Sequence, residues 1–452
     1  MYRLRKACGW CDPLAVAAGL RERPDALALI AGADDPARHG GRWSFVAADA
    51  DITHVTDLAE DGCLFGPLRE AQWRGGAPIV GLVSYDAGAR AATGARAHIW
   101  PDLLMARYPA WLAFDHIERV VWACGWGENT QGATDLADKA ANWLALAEAP
   151  DLPAAPVEDF NLEDEPSRYC DAVSEVVERI GQGELFQANI ARAWSGSLKP
   201  DADPFDVFVR LSRGRGAAYG AWWRQADHAL VSNSPELFLA FDQATRRIEA
   251  RPIKGTRPRH AQKAADDAAA AALLASDKDR AENLMIVDLM RNDLARVAEV
   301  GSVRVDELWG LEHHPTVHHL TSVVSATATP SLGWAEVLEA TFPPGSITGA
   351  PKYQAMKVIA RYEPPRGAWC GTLFASGFAR EGLVTASVLI RTAFFQREQG
   401  RWQWRALAGA GITADSDPQA ELAETTAKIS ALAEALFGGA VGAANGSDLT
   451  RA

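Results

Sequence analysis

A mixed α/β (α+β) protein with a large buried core is the fold class that the sequence predicts. Three observations point to it. The 452 residues are 48% hydrophobic, enough for an extensive core. Short runs rich in β-branched and aromatic residues alternate with stretches whose apolar residues recur at helical spacing. No apolar run approaches the ~18 residues of a membrane span, so the expected setting is soluble and cytoplasmic, with no membrane partner.

Residues 1–146 read as one N-terminal region of short apolar runs and turns. Within it, 78–85 (PIVGLVSY) and 119–123 (RVVWA) have the composition of strands. Residues 148–166 are rich in Pro and acid and read as a linker. A helix begins near Ser167, with Val173, Val176, Val177 and Ile180 at helical spacing. Residues 230–241 and 385–395 each read as one strand. The Ala-rich run 264–275 reads as helix, since Ala is the best helix former. Longer helices are expected over 276–297 and 418–437. Residues 167–437 thus form the expected second region, and 438–452, small and polar, a flexible tail.

Composition narrows the function. A net charge of -13 argues against binding a phosphate backbone, so no nucleic-acid partner is expected. The six cysteines are scattered; only Cys8 and Cys11 have CxxC spacing, and no second pair completes a zinc site. Reduced thiols are expected. The N-terminus, MYRLRKACGWC, is basic but has no apolar core, so no secretory signal is expected.

Two helices carry carboxylates in patterned positions. Ser276 can cap the first, and Asp279 and Glu282 share a face. Asp417 can cap the second, with Pro418 at its first position; Glu421 and Glu424 share a face, and Lys428 lies one turn beyond. Each pattern alone fits a solvated acidic turn. Together they fit magnesium, which takes few protein oxygens and keeps waters or substrate oxygens. Before the second helix, Gly409 and Gly411 either let backbone approach a ligand or form a tight turn. The segment PIKGTRPR (252–259) is either a stiff turn aiming Lys254 or a solvated basic loop. His313, His314, His318 and His319 lack the companions of a zinc site, so one buried or substrate-facing histidine is the simpler reading.

The order of these pieces resembles a known family. Ser234-Pro235-Glu236 precedes PIKGTRPR; AEN (281–283) runs into VDLMRNDL (287–294); His319-Leu320, GSITGAPK (345–352), IRT (390–392), AGAGI (408–412) and ELAET (421–425) follow. This is similar to the chorismate-using enzymes that include anthranilate, aminodeoxychorismate, isochorismate and salicylate synthases. The likeness covers about residues 167–437 and extends more loosely to GRWS (41–44) and GLVSY (81–85).

The resemblance implies a large two-sheet, mostly antiparallel sandwich with flanking helices, like anthranilate synthase component I. It implies a magnesium ion held by Glu282, Glu421 and Glu424, with Asp279 in support. Arg391 and Lys428 match cations facing substrate carboxylates, Gly409 and Gly411 the close-approach backbone, and Thr256 and Thr348 substrate-facing motifs. Glu236 matches the acid that protonates the departing 4-hydroxyl, and His319 the active-site histidine. Gln187 stands where the water-using members carry a lysine base.

Lys254 makes PIKGT, the form typical of aminodeoxychorismate synthases, where the lysine is thought to attack ring carbon 2. The implied activity is a chorismate-aminating synthase of the transaminase class, serving para-aminobenzoate and folate biosynthesis. Its lysine must be a neutral amine, which burial, magnesium or Arg257 would favour. Expected partners are chorismate, ammonia, a separate glutamine amidotransferase subunit and a downstream 4-aminodeoxychorismate lyase. The alternatives are anthranilate synthase component I and a non-catalytic ligand-binding homologue.

Overall fold

The computed structural model describes residues 1–32, 39–57, 63–70, 73, 76–213, 216–314 and 316–438. Among them, strands assemble into two antiparallel sheets of twelve and ten strands. The larger runs, in spatial order, Tyr2–Cys8, Val120–Gly127, Ala110–Asp115, Trp43–Ala47, Leu27–Ile30, Tyr219–Gln225, His228–Ser234, Thr392–Glu398, Arg401–Ile412, Gln187–Ser197 and Gly349–Ala350. Asn161–Leu162 adds beside Gln187–Ser197. The smaller runs Ile253–Pro258, Val317–Thr327, Arg247–Arg251, Leu237–Asp242, Leu383–Val388, Thr372–Ser376, Ile79–Val83, Leu103–Arg107 and Ile52–Thr56. Arg304–His313 adds beside Val317–Thr327.

The inner faces of the sheets share one core, in which Leu82, Trp111, Trp223, Phe241 and Phe374 are buried together. Helices Pro13–Leu20, Thr130–Trp143, Pro204–Ser212 and Pro418–Phe437 contribute Val16, Trp143, Phe208 and Leu432 to a second core with the larger sheet. A third cluster joins helices Pro166–Gly181 and Lys352–Tyr362 to Ile190 of the strand Gln187–Ser197. The two-sheet antiparallel sandwich with flanking helices is therefore the architecture. Strands from before residue 128 complete both sheets: Ile79–Val83 pairs with Thr372–Ser376, and Leu27–Ile30 with Tyr219–Gln225.

Most expected elements stand close to where the sequence puts them. The helices are Pro166–Gly181, Lys263–Leu274, Asp277–Ala295 and Pro418–Phe437, and the N-terminal strands Ile79–Val83 and Val120–Gly127. Of the tail expected over 438–452, only Gly438 is described; it caps the last helix in a left-handed conformation, and the rest lies outside the described residues.

Two expectations are corrected. Residues 230–241 are not one strand: His228–Ser234 belongs to the larger sheet and Leu237–Asp242 to the smaller. Residues 385–395 divide the same way, into Leu383–Val388 and Thr392–Glu398. Pro235 has no N–H to continue a ladder, and Arg391 turns the chain with φ 51. Both flanks of each break are largely buried, so the apolar pattern runs through it and conceals the change of sheet.

Candidate active site

The two breaks run side by side and carry two of the candidate site side chains, Glu236 and Arg391. Ser234 Oγ donates to the Val388 carbonyl at 2.6 Å, Val388 N–H donates to the Glu236 carbonyl at 3.1 Å, and Asn233 N–H donates to the Arg391 carbonyl at 3.0 Å. Glu236 and Arg391 are thereby placed where the chain passes between sheets. Glu236 is 5% exposed. Burial raises its pKa to about 7, although the Ser346 hydroxyl, the Lys254 ammonium and the Ile253 N–H all favour the carboxylate.

Lys254 comes from an edge of the smaller sheet. Its strand pairs Ile253 with Thr321 and then Thr256 with His319, so one extra residue bulges between them. Gly255 takes φ +89 at this bulge, a conformation that costs a glycine little. Lys254 is half-buried, and burial lowers its pKa, aided by Lys428 and opposed by Glu282, Glu236 and Glu424. Arg257, which the sequence offers as another cation to favour that lowering, instead places Nη2 2.8 Å from Asp279 Oδ2.

His319 is 2% exposed, and its Nδ1 lies 2.9 Å from Thr256 Oγ1. Burial, Arg391 and His314 hold its pKa down to about 3, so the ring is neutral near pH 7. Its neighbour His318 faces away: Nε2 lies 2.9 Å from Asp266 and Nδ1 2.8 Å from His313. The histidine run thus divides into His319 paired with Thr256, the pair His313–His318, and His314 packed against the His319 ring.

Helix Asp277–Ala295 touches both sheet edges, Ile253–Pro258 and Gly349–Ala350, and brings Glu282 to Lys254. Ser276 caps it, its Oγ accepting from Asp279 N–H at 3.2 Å. Helix Pro418–Phe437 is capped by Asp417, which accepts from the N–H groups of Gln419 and Ala420. Burial raises the pKa of Glu282 and of Glu421, with Glu424 adding repulsion to both. Burial pushes Glu424 up as well, but Lys428, 2.6 Å away, holds it below the usual value.

Among the described residues no three acidic, His or Cys side chains are already gathered as a metal cage. The donor set nevertheless suits a hard cation that keeps water: three carboxylates from two helices, with Glu424 repelling the other two, whose pKa values are raised. Lys278, which sequence reasoning passed over, supplies positive charge to all three. Its only local signal was the i,i+4 spacing to Glu282, 4.0 Å away.

The remaining expected residues surround these groups. Lys428 Nζ donates to the Gly409 carbonyl at 3.0 Å. Gly409 and Gly411 are demanded by the chain's own packing: a Cβ would lie 3.2 Å from Trp369 at the first and 2.4 Å from Gln187 Nε2 at the second. Gln187 is fully buried, and neither atom of its amide finds a hydrogen-bond partner among the described residues. Thr348 turns its hydroxyl to the Pro344 and Gly345 carbonyls at 3.2 and 3.1 Å, so it braces the turn 345–347.

That turn holds Ser346, a second residue missed in the sequence. Asn189 Nδ2 donates to its carbonyl at 3.2 Å, and the fully buried Arg366 donates to the Ile347 carbonyl at 3.1 Å. Arg366 is in turn paired with buried Glu363 at 2.8 Å. Nothing local in GSITGAPK marks Ser346 as the partner of Glu236.

Chemically, the site pairs a carboxyl titrating near neutrality with a lysine of lowered pKa, near a neutral histidine, the cations Arg391, Lys428 and Lys278, and a trio of carboxylates. Residues 30–434 match the chorismate binding enzyme family. Aminodeoxychorismate synthase component 1 of Salmonella typhimurium is 38% identical over 387 residues, 84% of this chain and 81% of the relative. Anthranilate synthase component 1 of Aeropyrum pernix is 30% identical over 459 residues, 96% of this chain and 95% of the relative. The crystal structure of anthranilate synthase component I from Streptococcus pneumoniae aligns with TM-score 0.74 at 25% identity, covering 86% of this chain and 92% of that one. The chain belongs to the chorismate binding enzyme family.

Proposed function

We propose that this chain is the chorismate-aminating component of an aminodeoxychorismate synthase, converting chorismate and ammonia to 4-amino-4-deoxychorismate. The observation that carries the reading is Lys254, an amine of lowered pKa at a bulge, in the same cleft as Glu236 with a pKa of about 7. The identity of 38% to a synthase of that name supports it.

In this reading Lys254 Nζ attacks ring carbon 2, the ring double bonds shift, and the bond from carbon 4 to its hydroxyl breaks. Glu236 gives its proton to that hydroxyl, which leaves as water; a general acid with pKa near the working pH suits the task. Ammonia then adds at carbon 4, the double bonds shift back, and the Lys254 amine is expelled. Arg391 and Lys428 face the carboxylates of the substrate. His319, neutral, offers a hydrogen bond without adding charge. Glu282, Glu421 and Glu424 would hold a magnesium ion, which supplies positive charge for a substrate carboxylate.

The component 1 name of the relatives fits a separate glutamine amidotransferase as ammonia source. A lyase would then carry the product toward para-aminobenzoate and folate, and the net reaction is an amino-group transfer. The test is chorismate with ammonium, with and without a 4-aminodeoxychorismate lyase. Para-aminobenzoate should form only when the lyase is present. Fluorescent anthranilate formed without it would assign the chain to the anthranilate branch. Glutamine in place of ammonium should give no product from the purified single chain.

A further inference from the structure

We propose that the Asp279–Arg257 ion pair is a positioning clamp that fixes where Lys254 points, and thereby which ring carbon keeps the amino group. The inference rests on the reading of Lys254 as nucleophile. It starts from the edge strand Ile253–Pro258, which is paired on one side only, with Val317–Thr327. The bulge at 254–255 brings Lys254 among Glu282, Glu236 and Glu424, and a bulge on an edge strand has a ladder on one side only to hold it.

Two contacts with Asp279 hold it against the start of helix Asp277–Ala295, and Leu273 of helix Lys263–Leu274 packs beside them. A Cβ on Gly255 would lie 3.0 Å from Asp279 Cβ and 2.9 Å from Leu273 Cδ1, so the bulge rests on the junction between the two helices. Arg257 Nη2 donates to Asp279 Oδ2 at 2.8 Å. Its Nη1 turns back to the Thr256 carbonyl at 2.9 Å. One guanidinium therefore ties the backbone just after the bulge to the turn that carries Asp279 and, three residues on, Glu282. The Ser276 cap fixes that turn in its place.

The consequence is geometric. Lysine is a flexible four-carbon arm whose amine must meet one ring carbon, and a misplacement of about 1 Å costs on the order of 10²-fold in rate. If the bulge relaxes away from the helix, Lys254 Nζ withdraws and carbon 2 is left open. Ammonia then adds there directly as the 4-hydroxyl leaves with a proton from Glu236, giving the 2-amino product. The clamp keeps the lysine over that carbon, so ammonia is directed to carbon 4.

The test compares product ratios at saturating ammonium for wild type, Lys254→Ala, Asp279→Asn, Arg257→Lys and Lys254→Ala/Asp279→Asn. Asp279→Asn keeps shape and removes the charge; the 2-amino to 4-amino ratio should rise about tenfold or more. Arg257→Lys keeps the charge but cannot span both acceptors, so a smaller rise is expected. The double variant should show the ratio of Lys254→Ala alone, because the clamp acts only through that lysine.

If Asp279→Asn and Arg257→Lys lower turnover or melting temperature but keep the wild-type ratio, the pair is structural only and the inference is overturned. The Lys254 reading survives that result so long as Lys254→Ala changes the ratio. Unchanged 4-amino product from Lys254→Ala would overturn both. A further rise in the double variant beyond Lys254→Ala would show the pair acting on something other than Lys254, and would also overturn the inference.

Discussion

Glu236 and Lys254 oppose each other in a way that ordinary side chains in water do not. Burial discourages charge on both, so the acid is pushed up and the base down, each toward the state that the proposed chemistry needs. Replacing Glu236 by Gln should lower ammonia-dependent turnover by roughly 10²–10⁴-fold, the usual worth of a positioned acid. Stability gives an independent reading. The folded pKa of Glu236, about 7, lies above the ordinary 4.5, so the folded protein binds the extra proton across that window. Its contribution is full below about pH 4.5 and is lost as pH rises through about 7. Glu236→Gln should therefore flatten the fall of unfolding free energy over this range, compared with wild type. Ser346→Ala removes a hydrogen bond that favours the carboxylate, so it should carry the fall to higher pH. A wild-type pH profile in the serine variant would show that Ser346 does not act on Glu236. At position 254, arginine should not replace lysine, because a guanidinium stays protonated; recovery of 4-amino product by Lys254→Arg would rule out a nucleophilic role.

Each helix that carries carboxylates depends on a local cap. Asp417 accepts two backbone N–H groups at the start of Pro418–Phe437. Asp417→Ala should cost about 1 kcal/mol, measured by denaturant unfolding. These caps explain why the helices were legible: Ser276, Asp417 and Pro418 act within one turn of their own positions. Strand packing is not local in that sense. Gly411 reads in the sequence either as a close approach to a ligand or as a tight turn, yet it lies within a strand and faces the buried Gln187 on the neighbouring strand. Gly411→Ala should cost about 1–3 kcal/mol through overpacking. In a Gln187→Ala background the same change should cost clearly less, and equal costs in the two backgrounds would mean that the side chains do not compete for that space.

At the scale of the whole molecule, the sheets interleave chain from both ends. Ile79–Val83 is buried throughout and lies between Thr372–Ser376 and Leu103–Arg107. Leu82, Phe241 and Phe374 share one core although they lie far apart in sequence. Residues 1–127 and 166–438 should therefore lose structure together. Far-UV and near-UV circular dichroism are expected to report coincident thermal transitions; two separated transitions would contradict the shared core.

The sequence by itself, which did not anticipate helices such as Thr130–Trp143 and Lys352–Tyr362, determined the family and the four helices over 166–181, 263–274, 277–295 and 418–437, and it offered the candidate site residues. Those features rest on periodicity, on caps a few residues long, and on motifs kept in a fixed order. Lys254, Glu282 and Glu424 are legible in this way because each lies in such a motif. Only the tertiary structure decided that Arg257 belongs to Asp279, that Lys278 faces three carboxylates, and that Ser346 serves Glu236. It also decided that residues 230–241 and 385–395 each cross between sheets. The physical reason is common to all of these. A side chain's partner, and the sheet a strand joins, are set by contacts between segments tens to hundreds of residues apart, and burial on both sides of a crossing leaves the local pattern unchanged.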